Sequence, residues 1–98
     1  MVDKLEEAKE DLKKYAENLG LGQDAINAGY DILDNFQKKG TNDFRPRNLA
    51  AGALYMSAIL VGEGKTQERI GIAAKISAKA VGKSYRKLSK KIDVYLKL

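Results

Sequence analysis

Apolar side chains recur at helical spacing along most of the chain. Leu5, Ala8, Leu12, Tyr15, Ala16 and Leu19 form one such stripe, with Lys and Glu on the other face, until Gly20 and Gly22 interrupt it. The spacing predicts a helix over about residues 3–19. Ile26, Tyr30, Leu33 and Phe36 repeat the pattern up to Gly40, predicting a second helix over about 23–39. A polar loop, 40–45, precedes Pro46, which suits the first turn of a third helix because its missing N–H would be unpaired there in any case.

The third helix, Pro46 to about Val61, differs in kind. It is apolar around nearly its whole circumference, the signature of a helix surrounded by others. Ala50, Ala51, Gly52 and Ala53 allow close approach of neighbours, while Leu54, Met56, Ile59 and Leu60 are expected to fill the space between them. Tyr55 reads as a core residue. Gly62 and Gly64 end this helix, and Thr66 can cap a short fourth helix over about 67–74. Ser77 is a second capping residue, opening a fifth helix over about 78–91. No strand-like alternation of useful length occurs, and residues 93–98 carry no assignment. The expected fold is all-α, with five helices in one domain spanning residues 1–98.

On a helical wheel of about 100° per residue, Val81, Tyr85, Leu88 and Ile92 fall within roughly 60° of one another and form the buried stripe of the fifth helix. Lys79, Lys83, Arg86, Lys87 and Lys90 cluster on the opposite side with no acidic residue among them. A merely solvated helix of this length usually mixes Glu with Lys, since pairs three or four residues apart stabilise it by about 0.2 to 0.5 kcal/mol each. The unmixed face therefore favours a polyanion over solvent alone. The wider charge distribution agrees: residues 1–44 carry six Lys/Arg and ten Asp/Glu, a net −4, whereas residues 45–98 carry twelve and three, a net +9. Such a dipolar surface points to a polyanionic partner at the C-terminal half.

Residues 66–91 read as two helices joined by a tight turn, the arrangement that places a recognition helix in the DNA major groove. Ile70, Ile76 and Val81 occupy the spacing that packs such a pair, and Gly71 is small where the helices come closest. The turn normally has Gly where a left-handed conformation is needed. This sequence has Lys75, which implies about 1 kcal/mol of strain or a turn of different construction.

Several chemistries are excluded or disfavoured. The chain has no cysteine and no histidine, which removes disulfides, thiolate metal sites, the commonest general base and the commonest transition-metal ligand. No cofactor or metal is expected, and no nucleophile-and-base pair supports an enzyme. Gly64-Lys65-Thr66 superficially suggests a phosphate loop, but the glycine such a loop requires five positions earlier is Ile59. Glu6, Glu7, Glu10 and Asp11 complement the dipole of the first helix, and Asp24, Asp31 and Asp34 read as a solvated face. The apolar run 49–61 is shorter than the roughly 20 residues a membrane span needs, and the acidic start does not resemble a signal peptide.

Thr66-Gln-Glu-Arg-Ile-Gly-Ile-Ala-Ala-Lys-Ile-Ser-Ala-Lys-Ala-Val-Gly-Lys-Ser-Tyr-Arg-Lys-Leu88 resembles the final cyclin-like repeat of the transcription factor B family of archaea and eukaryotes. That family's segment runs Thr-Gln-x-Glu-Ile-Ala, Ala-Gly-Val-Thr, Val-Thr-Ile-Arg and Tyr-Lys. Thr66, Gln67, Ile70, Ala74, Ile76, Ser77, Val81, Tyr85, Arg86 and Leu88 answer it identically or conservatively. Upstream, residues 47–60 resemble the family's Ala-rich third helix and Leu19-Gly-Leu21 the turn after its first. The likeness covers about residues 5–92.

The resemblance implies a five-helix cyclin-like fold with a buried third helix and a C-terminal helix-turn-helix over about 66–91. It also implies partners, double-stranded promoter DNA near the TATA box and the TATA-binding protein, and a location in the nucleoid or cytoplasm of an archaeon or the nucleus of a eukaryote. The expected state is a monomer away from membranes. Where the family has Val and Arg in Val-Thr-Ile-Arg, this chain has Lys79 and Gly82, so the side chain suited to a bidentate guanine contact is missing. Contact with the DNA backbone, without strong base specificity, is the expected mode. Lys79, Lys83 and Arg86 would touch DNA, Lys87 and Lys90 would add long-range attraction, and Ser77 would be a phosphate ligand at the helix start. The family's full-length proteins add a zinc ribbon and a preceding repeat, and these 98 residues contain neither. The competing reading is a cyclin-like protein-interaction module whose basic helix docks on an acidic partner.

Overall fold

The computed structural model describes residues 4–38 and 45–91. Five helices follow in order: α1 (Lys4–Asn18), α2 (Gln23–Lys38), α3 (Pro46–Leu60), α4 (Gln67–Ala74) and α5 (Ala78–Lys91). Each matches its expected span to within a residue where the chain is described, and there is no strand among the described residues. Asp3, Lys39, most of the 40–45 loop, Ile92 and residues 93–98 lie outside the described residues.

The apolar character of α3 has the expected cause. The helix packs against all four others, and Leu49 to Leu54 and Met56 to Ala58 are buried. Its small residues set the closest approaches. A Cβ at Gly52 would stand 2.9 Å from the Ser84 Cβ and 3.0 Å from the Ser84 backbone carbon, so α5 crosses α3 at a distance only glycine permits. Ser57, buried in this apolar surround, donates its hydroxyl proton to the Leu54 carbonyl at 3.1 Å and so leaves no unpaired donor.

Leu60 and Ile59 depart from expectation. Rather than filling the core, Leu60 is 44% exposed and Ile59 is half-buried. Among the described residues, the last turn of α3 is less covered by the other helices than its middle, so its apolar circumference is not enclosed there. Tyr55 is half-buried and meets Tyr85 of α5 edge to face, with ring centroids 5.1 Å apart and planes at 70°. Ala8, Leu12, Tyr15 and Ala16 of α1 are buried, as are Ala25, Ile26, Ile32, Leu33 and Phe36 of α2, while Leu5, Leu19 and Tyr30 pack at the edge.

Three helices end in the same way. After α1, Leu21 N–H donates to the Ala16 carbonyl at 2.9 Å and Gly20 N–H to Glu17. After α3, Glu63 N–H donates to Ala58 at 2.8 Å and Gly62 N–H to Ile59. After α4, Ile76 N–H donates to Gly71 at 2.9 Å and Lys75 N–H to Ile72. This paired pattern needs one left-handed residue, which satisfies carbonyls the helix end leaves free. Gly20 (φ +71°) and Gly62 (φ +78°) supply it without steric cost, whereas the third site is Lys75 at φ 60°, ψ 41°.

Candidate nucleic-acid interface

The short connection between α4 and α5 is fixed from both sides. Thr66 precedes α4 in extended conformation and its Oγ1 accepts from Arg69 N–H at 3.1 Å. Ser77 does the same for α5, its Oγ accepting from Ala80 N–H at 3.0 Å. Such caps are worth about 1 kcal/mol each. Between them the left-handed Lys75 reverses the chain, and Gly71 lets the Ile76 backbone lie directly against α4. Ile70 and Val81 are fully buried and Ile76 partly, so the three residues expected to pack the pair face the core.

This packing determines the outer face of α5. Val81, Ser84 and Leu88 are buried and Tyr85 is half-buried. Lys79, Lys83, Arg86, Lys87 and Lys90 are all exposed, as is Ser77 at the start of the helix. Every residue singled out from the sequence as a DNA contact thus lies on the one solvent-facing surface of α5 and its cap. No acidic residue interrupts the chain between Glu68 and Asp93. The local field is strongly positive, and its capacity is for polyanion binding rather than for chemistry.

Two features beside this face were not anticipated. A cavity of about 700 Å³ opens between α1, the start of α3 and the α4–α5 turn, lined by both basic (Lys14, Arg45, Arg47, Lys75) and acidic (Glu7, Asp11) residues. Tyr15 of α1 lines it, with Asp11 and Arg47 nearby. Burial, with Asp11 adding to the effect and Arg47 opposing it, pushes the Tyr15 phenol up to about 12. The second feature is Ile72, 74% exposed on α4 beside Arg69 and Lys75. Neither could be found by periodicity, since both depend on which elements meet.

The acidic half of the molecule is organised separately. Lys9 of α1 pairs with Asp34 of α2 at 2.8 Å and lies 5.6 Å from the centre of the Tyr30 ring, tying these two helices together at the surface. Both partners are partly exposed, so the pair adds at most about 1 kcal/mol.

Comparison with known proteins places this geometry. Residues 2–91 match the family model described as transcription factor TFIIB repeat. The chain is 32% identical over 84 residues to a transcription initiation factor IIB of Pyrococcus furiosus, an alignment covering 85% of this chain and 28% of that protein. It is 31% identical over the same length to that of Pyrobaculum arsenaticum, covering 85% and 25%. A transcription initiation factor IIB 1 of Thermococcus kodakarensis is 29% identical, with 85% and 28% covered. The chain thus spans between a quarter and a third of the length of these relatives. No helix among the described residues is long and apolar enough to cross a membrane. With a five-helix cyclin-like fold and a family match over nearly its whole length, the chain belongs to the transcription factor TFIIB repeat family, a family of transcription initiation factors and not of enzymes.

Proposed function

We propose that residues 1–98 form one DNA-binding domain of a transcription initiation factor B-like protein, acting inside the cell as a monomer on promoter DNA near the TATA box, with the TATA-binding protein as its protein partner. The observation that carries this reading is the uninterrupted cationic face of α5, exposed from Lys79 to Lys90 and set on a capped helix-turn-helix. Membership of the TFIIB repeat family supports promoter DNA and the TATA-binding protein as the partners. Lys79, Lys83 and Arg86 contact DNA, and Lys87 and Lys90 contribute mainly long-range attraction. Ser77, whose hydroxyl oxygen is occupied by Ala80 N–H, can still donate its proton to a phosphate oxygen.

Lysines on flexible stems and a glycine at position 82 favour backbone contact over base reading. The test is fluorescence anisotropy of a labelled TATA-containing promoter titrated with the domain, with and without the TATA-binding protein. Binding that appears or tightens only with that protein present supports the proposal. Binding to any duplex irrespective of it reduces the domain to a general DNA-binding unit, and no binding in either arm favours the protein-interaction module.

A further inference from the structure

Gly82 of α5 is buried, and the group that covers it is the side chain of Gln67, the first residue of α4. A Cβ at position 82 would stand 2.6 Å from Gln67 Oε1, 3.2 Å from its Cδ and 3.5 Å from its Nε2. The carboxamide oxygen therefore occupies the space a side chain on residue 82 would take, with Cδ pressed close and Nε2 at ordinary contact distance. At about 100° per residue, Gly82 lies about 40° from Arg86 and about 60° from Lys79 around the helix. The amide is consequently set at the edge of the cationic face, on the flank that adjoins the start of α4. It is only partly buried, and among the described residues it has no hydrogen-bond partner.

We infer that the Gln67 carboxamide, held over Gly82, is a further DNA-contacting group of this domain, donating from Nε2 to a phosphate oxygen on the groove wall beside α5. This inference rests on the DNA-binding reading given above. The flank position decides the kind of contact. When a helix lies in the major groove its outermost face looks at base edges, whereas its flanks look at the sugar-phosphate walls. Glycine at 82 removes a side chain from α5 there, and Gln67 supplies a neutral donor from α4 in its place. A neutral donor displaces no counterion, which distinguishes it from the lysines around it.

The test is the affinity and salt dependence of duplex DNA binding by Gln67→Ala, Gln67→Glu, Gly82→Ala and Lys83→Ala, with thermal melting of each to establish folding. Gln67→Ala is expected to weaken binding about three- to tenfold with an unchanged salt slope. Gln67→Glu, which sets a negative charge against phosphate, should weaken it further. Lys83→Ala should flatten the slope by about 0.9. Gly82→Ala, which displaces the amide without removing it, should reproduce the Gln67→Ala loss, and the Gln67→Ala/Gly82→Ala pair should be no weaker than either alone. Gln67→Ala binding within twofold of the unaltered domain overturns the inference and leaves the DNA-binding reading intact. Failure of the unaltered domain to bind duplex DNA either alone or with the TATA-binding protein overturns both.

Discussion

Gly71 accepts the Ile76 N–H at 2.9 Å, and a Cβ on Gly71 would stand only 2.7 Å from the Ile76 carbonyl oxygen. The same glycine therefore closes α4 and fixes the entry of the chain into α5. In an isolated helix, replacing glycine by alanine stabilises by about 1 kcal/mol. Here the atom in the way belongs to the backbone and cannot rotate aside. Gly71→Ala is expected to destabilise the domain by up to about 2 kcal/mol net, the overpacking cost exceeding the helix gain, seen as a lower denaturant midpoint. An increase in that midpoint would show that the turn yields more easily than its hydrogen bonds suggest.

Lys75 offers the opposite case. A left-handed conformation costs a non-glycine residue about 1 to 2 kcal/mol, while glycine's extra freedom in the unfolded chain costs about 0.5 to 1 kcal/mol. The first figure is the larger, so Lys75→Gly is expected to raise stability by up to about 1 kcal/mol, a rise in melting temperature of up to about 4 to 8 °C. A fall on this substitution would mean that the Lys75 side chain stabilises the turn by more than its backbone strains it.

The buried Tyr15 phenol gives the domain an alkaline limit. Its pKa stands raised to about 12, against 10.0 for the unperturbed group. Below pH 10 the phenol is protonated in both folded and unfolded chains and contributes no pH dependence. Between about pH 10 and 12 only the unfolded chain releases the proton, so stability falls as pH rises. The contribution of Tyr15 is isolated by difference. Tyr15→Phe should flatten the decline in unfolding free energy between pH 10 and 12, and an identical decline in both proteins would contradict the assignment.

The five helices were legible because the glycines and capping residues that bound them act locally: Gly20, Gly62, Thr66 and Ser77 do in the structure what their sequence positions imply. The outer face of α5 was legible for the same reason, its periodicity being a property of one helix. What could not be read depends on partners. Gly29 looks like a simple liability inside α2, yet a Cβ there would lie 2.6 Å from Leu12 Cδ1, and it is where α1 packs. Likewise Gly82 looks like the loss of a contact residue until Gln67 is found over it. Leu60 looked like core because composition does not show where the surrounding helices end.

The measurement that bears most directly on the function is the salt dependence of duplex DNA binding, by anisotropy, for the unaltered domain and for Lys83→Glu/Arg86→Glu. Both side chains are exposed, so the variant should melt as the unaltered domain does. Neutralisation of about three to five phosphates predicts that log affinity falls against log salt with a slope of roughly −3 to −4.5, and that the folded variant loses binding. A slope near zero, or undiminished binding by the variant, would contradict the assignment of α5 as the DNA-binding face.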